Sequence, residues 1–195
     1  MNRPLKNHKS QSGFSMIEVM VSLVILLLGL LGLVGLILVS QRAETEFYQR
    51  SQALLLLQDM VGRINANRRV ATCYVITTDT VNGAPYLGNG SILQPACGFG
   101  TTQANALANS DLTSWSGLLR GASETLGSSN VGAMVGARGC VSFDITTGIY
   151  LVSVAWQGIV ITKVPNTSIT CGKGLYGNEA LRRGVSMNVQ IANLD

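Results

Sequence analysis

The stretch Gly13-Phe14-Ser15-Met16-Ile17-Glu18, running on into Val19-Met20-Val21-Ser22-Leu23, sets one carboxylate at the edge of a long apolar segment. Residues 19–39 are interrupted only by Ser22, Gly29, Gly32 and Gly35, and no charged residue occurs from 19 to 41. As a helix rising ~1.5 Å per residue, that segment crosses a hydrocarbon core of roughly 30 Å. A secretory signal has a shorter apolar region, about 7–15 residues, followed by small residues at a cleavage site. Ser40-Gln41-Arg42-Ala43 offers no such site, so the helix reads as retained.

Glu18 needs a reason to be there. A carboxylate in a membrane-spanning segment costs about 2.5–3.5 kcal/mol on insertion scales. Near a helix start it complements the helix dipole. If the chain is cut after Gly13, Phe14 becomes the N-terminus, and Glu18 lies one turn along the same face. In an assembly it would then pair with the terminal amine of a neighbouring subunit and fix the helix register.

Charge orients the segment. Of 14 basic residues, Arg3, Lys6 and Lys9 fall in the first thirteen positions, which hold no acid. The positive-inside rule keeps them cytoplasmic and sends the chain after about Ser40 to the periplasm. The remaining eleven basic residues nearly balance ten acidic ones. That balance gives no basic surface, and no specific nucleic acid is expected as a partner. The pairs Arg68-Arg69 and Arg182-Arg183 read as solvated surface charge.

Cys73, Cys97, Cys140 and Cys171 all follow the apolar segment, in what would be an oxidising compartment. Four cysteines allow three pairings. Pairing Cys73 with Cys97 and Cys140 with Cys171 is favoured because each bridge closes a local loop. The only histidine, His8, lies in the leader. Neither a Gly-x-Ser-x-Gly motif nor a clustered acid pair occurs beyond it. No catalytic residue, cofactor site or metal site is therefore assigned, and the chain does not read as an enzyme.

The leader and helix resemble the type IV pilin and pseudopilin superfamily. The resemblance implies that a prepilin peptidase cuts after Gly13 and that the new amine of Phe14 is methylated. It also implies that Glu18 helps incoming subunits dock into a fibre. Major pilins often carry a proline in this helix, and none occurs here.

Beyond the anchor, residues 41–69 keep a helical period through Ala43, Phe47, Leu54, Leu57, Val61 and Ile64. Glu46 with Arg50 and Asp59 with Arg63 are spaced as i,i+4 ion pairs. The four-leucine run 54–57 reads as covered on more than one side. From 77 to 139, Asn, Gly, Ser and Thr dominate and no long amphipathic period is evident. Asp111 reads as the cap of a short helix. Alternation predicts strands over 140–146, 149–157, 159–164 and 185–191, with Thr147-Gly148 as a turn.

Ala137-Arg138-Gly139-Cys140, Gly148-Ile149-Tyr150, Val154-Ala155-Trp156-Gln157-Gly158, Cys171 and Leu181-Arg182-Arg183 resemble the minor pilins called type IV pilus modification proteins, PilV. The expected fold is α+β, with a long N-terminal helix packed against a C-terminal antiparallel sheet. The expected organisation is a cleaved leader (1–13), a transmembrane and assembly helix (14–40), an amphipathic helix (41–69) and a periplasmic head (70–195). The resemblance implies a minor pilin in a tip or priming complex. Its partners would be the prepilin peptidase, other minor pilins, the major pilin, the inner membrane and a tip adhesin. A type II secretion pseudopilin would share the leader. A single-pass periplasmic domain of other activity is the remaining alternative.

Overall fold

The computed structural model describes residues 13–130, 132 and 134–191. Arg3, Lys6, Lys9 and His8 lie outside the described residues. The chain divides into two compact units, Met1–Glu44 and Thr45–Asp195.

The first unit is helical from Met16, the start of helix α1 (Met16–Ala66). Every residue from 13 to 44 is exposed. The stretch is long and apolar enough to cross a membrane. Apolar side chains on all sides of one helix are stable only in apolar surroundings.

In the second unit, α1 buries the seam Gln49, Ala53, Leu57, Met60 and Ile64. These positions recur at i+4, i+4, i+3 and i+4, which is one face of a 3.6-residue helix. The expected stripe is thereby corrected. Leu57 and Ile64 are core, whereas Phe47 is 71% exposed and Leu54 also faces outward. The run 54–57 is covered on one side only, since Leu55 is exposed as well. Two short 3₁₀ turns joined by a kink at Val70, together Arg68–Tyr74, follow α1 and bury Val70, Ala71 and Tyr74.

A second helix, α2 (Thr102–Leu119), stands where no long period was expected. Thr101 caps it, its side chain accepting from the Ala104 amide. Its buried residues are Ala108, Leu112, Trp115, Ser116 and Leu119. Asp111 therefore lies mid-helix and is not a cap. An alanine and a serine complete the inward face, which blurs the contrast that a period reading needs.

The sheet runs in the order β1-β4-β5-β6, from Leu87–Gly88, Arg138–Asp144, Ile149–Gln157 and Arg182–Gln190. All its pairings are antiparallel. A two-stranded hairpin, β2 (Thr125–Leu126) with β3 (Ser129–Asn130), lies between α2 and β4. The fold is thus α+β, with a long N-terminal helix and a C-terminal antiparallel sheet.

Alternation along β5 builds two apolar layers. Tyr150, Val152, Val154 and Trp156 join the core formed with α1 and α2. Ala155 faces the other way, toward Cys140, Cys171 and Tyr176. The segment between β5 and β6 covers that second face. Ile169 sits so close to Gly184 that a side chain there would collide with it.

Residues 159–164 are not a strand. Their backbone bonds to the side chains of Glu46 and Arg183 and, through the Thr162 amide, to the Ala180 carbonyl, with no strand ladder. The amides of Ile159 and Val160 donate to Glu46 Oε1, and Arg183 Nη2 donates to the Val160 carbonyl. Arg182 and Arg183 are likewise not solvated surface charge. Arg182 is almost fully buried, ion-paired to Glu179 at 2.8 Å, and donates to the carbonyls of Ile169 and Cys171. Arg183 pairs with Glu46 at 3.1 Å. Glu46 thus turns to Arg183 and not to Arg50, while Asp59 and Arg63 do pair at 2.8 Å. Arg68 and Arg69 are exposed.

Candidate processing segment and the head that follows it

Gly13, Phe14 and Ser15 precede the first residue of α1 and are non-helical. The Ser15 carbonyl accepts from the amides of Glu18 (3.0 Å) and Val19 (3.3 Å), which closes the first turn. Phe14 is 84% exposed. The Gly13–Phe14 peptide bond therefore lies in exposed, non-helical chain.

Nothing inside the described chain requires glycine at position 13. A Cβ added there meets no atom within 4 Å, and its φ is not positive. Any demand for glycine must come from outside the folded chain. Glu18 sits in the first turn of α1 and is exposed, with Ser22 Oγ donating to its backbone carbonyl at 2.8 Å. Its carboxylate is the acidic group in that first turn, where the free amides favour negative charge.

Residues 8–34 match the prokaryotic N-terminal methylation motif. The match supports a type IV pilin-like chain that is processed as a prepilin. It covers Gly13, Phe14, Glu18 and most of the apolar stretch, and none of the head. The long apolar-started helix followed by an antiparallel sheet agrees with a pilin-like arrangement. No curated protein and no solved structure matches the chain.

In the head, Cys73 is bonded to Cys97 and Cys140 to Cys171. The first bridge ties the 3₁₀ turn after α1 to the segment before α2. The second ties β4 to the segment that covers the sheet. Among the described residues no His, Cys, Asp and Glu cluster could hold a metal ion.

Two polar networks escaped the sequence. In one, Arg63 Nη1 pairs with Asp111 Oδ1 at 2.8 Å, and the Tyr74 hydroxyl donates to Asp111 Oδ2 at 2.6 Å. Asn67 Nδ2 adds bonds to the Tyr74 hydroxyl and the Ala104 carbonyl. Burial first, then the Asp111 carboxylate, pushes the Tyr74 phenol well above its usual range, so it stays a donor. In the other, Arg138 lies between the rings of Tyr86 and Tyr176, 5.3 and 4.7 Å from their centroids. Only the i,i+4 spacing of Asp59 and Arg63 hinted at either. The other partners are brought together by tertiary packing.

Proposed function

We propose that this chain is a minor pilin of a type IV pilus. A prepilin peptidase cuts it between Gly13 and Phe14, and the Phe14 amine is then methylated. Glu18 receives the terminal amine of a neighbouring subunit as the apolar helix enters the fibre. The head stays periplasmic while residues 14–40 anchor the precursor, and the mature subunit joins other minor pilins in a tip complex.

One observation carries the reading. Gly13 and Phe14 stand in exposed, non-helical chain directly before a helix whose first turn holds Glu18 and which carries no charge from 19 to 41. Glycine has no internal role there, so recognition by an enzyme supplies one. The physical logic of Glu18 is a bare carboxylate that is costly in lipid and is relieved by an amine from the next subunit.

Intact-mass measurement of the protein extracted from its own membrane tests the reading. The expected product starts at Phe14, is heavier by one methyl group, and is lighter by the four hydrogens that two disulfides remove. A chain still starting at Met1 would overturn it and leave a signal-anchored periplasmic domain. Co-purification with secretion pseudopilins instead of pilus subunits would move it to the type II secretion alternative.

A further inference from the structure

Residues 159–164, Ile-Val-Ile-Thr-Lys-Val, turn their apolar side chains out of the fold. Ile159, Val160, Ile161 and Val164 are each 44–64% exposed. The loop is nevertheless held firmly. Glu46 accepts both of its first two amides, Arg183 bonds the Val160 carbonyl, and the Thr162 amide donates to the Ala180 carbonyl. Phe47, beside Glu46 in α1, is also exposed. Exposed apolar side chains on a loop held this firmly mark a contact surface.

Chain connectivity says what that surface meets. Glu46 lies seven residues after Val39, the last residue of the apolar segment. Seven residues span at most ~25 Å fully extended and about 10 Å as helix. The loop clamped to Glu46 is thus held close to the point where the segment would leave a membrane. Lys163 in the loop and Arg50, one turn along α1 from Glu46, are exposed. Apolar side chains with long cations beside them suit the boundary between head groups and acyl chains.

We propose that residues 159–164, with Phe47, rest on the surface of the bilayer that the apolar part of α1 crosses. The contact seats the head on the membrane before the subunit is drawn into an assembly. It rests on the membrane-spanning reading of residues 14–40.

The test uses the full chain reconstituted in phosphatidylcholine–phosphatidylglycerol vesicles. An environment-sensitive fluorophore is placed on Ile161→Cys, on Ile145→Cys or on Leu31→Cys, and lipids carry nitroxides at shallow or deep positions. Ile145 is 87% exposed at the β4–β5 turn, the opposite end of nine-residue β5, some ~30 Å from the loop. The expected result is a blue shift and loss of intensity at Ile161 with shallow nitroxides, loss at Leu31 with deep ones, and no loss at Ile145. Quenching at Leu31 with Ile161 no more affected than Ile145 overturns the proposal alone. A blue shift at Ile161 without lipid quenching also overturns it, because the cover is then protein. Absence of quenching at Leu31 refutes the membrane-spanning reading itself.

Discussion

The indole of Trp115 lies on the backbone of Gly139. An added Cβ at Gly139 would overlap the Trp115 ring and approach Leu119 Cδ1 to 2.7 Å. The same indole donates from Nε1 to the Leu56 carbonyl of α1 at 2.9 Å. One side chain of α2 thus touches both β4 and α1, and its fit depends on a missing methyl group.

Gly139→Ala should therefore destabilise the head by about 1–3 kcal/mol, the usual cost of overpacking a close-packed core. Denaturant titration of the detergent-solubilised protein, followed by tryptophan emission, measures it. Wild-type stability in that variant would show that α2 can slide away at no cost.

Asp111 ties three elements together, so its loss should exceed that of its neighbour Asp59. Asp111→Ala takes the acceptor from Arg63 Nη1 and from the Tyr74 hydroxyl proton, leaving Arg63 only Asp59, for a cost of about 1.5–3 kcal/mol. Asp59→Ala removes a half-exposed helix pair, worth under about 1 kcal/mol. Equal losses in the two variants would contradict the network.

Glu46 gives the 159–164 loop a pH dependence. Burial acts to raise its pKa, but the Arg183 hydrogen bond and charge and the two loop amides outweigh it, so the carboxyl is held below 4.5. Its folded pKa is depressed. The stabilisation is therefore present above the unfolded value of 4.5 and is lost as pH falls through the folded pKa. Protection of the Ile159 and Val160 amides, relative to intrinsic exchange, should fall in acid. In Glu46→Gln it should be low at neutral pH and insensitive to acid. Unchanged protection in that variant would remove Glu46 as the clamp.

The Cys140–Cys171 bridge closes 31 residues of chain and pins the cover over the sheet's second face. Replacing both cysteines with serine should cost about 3–4 kcal/mol by loop entropy. The same change at Cys73 and Cys97, separated by 24 residues, should cost nearly as much. A melting temperature shifted by only one pair would show that the other closes a segment already ordered.

Gly13→Ala should leave an uncut precursor, and Glu18→Ala should be cut normally yet enter fibres poorly. Immunoblots of membrane and sheared-surface fractions separate the two. Normal trimming of Gly13→Ala would oppose the peptidase assignment, and wild-type surface recovery of Glu18→Ala would oppose the register role.

The long helix, its apolar run and the β4–β5 hairpin were legible in the sequence, whereas the pairing of β5 with β6 was not. The legible parts follow from local pattern: an uncharged run that only a helix in lipid can satisfy, and alternation across β4 and β5. The methylation motif was legible for the same reason, because Gly13, Phe14 and Glu18 are neighbours in the chain. Tertiary structure alone decided which face of α1 is buried, since Leu57 and Ile64 lie inward while Phe47 does not. It also made a helix of the Asn- and Ser-rich stretch around Trp115, whose partners Leu56 and Gly139 are far off in sequence. Residues 159–164 show the limit most clearly. Their alternation fits a strand, but the carboxylate of Glu46, more than a hundred residues away, takes the amides that a ladder would have used. Period sets what a segment can form, and the hydrogen-bond partners that folding brings near decide what it does form.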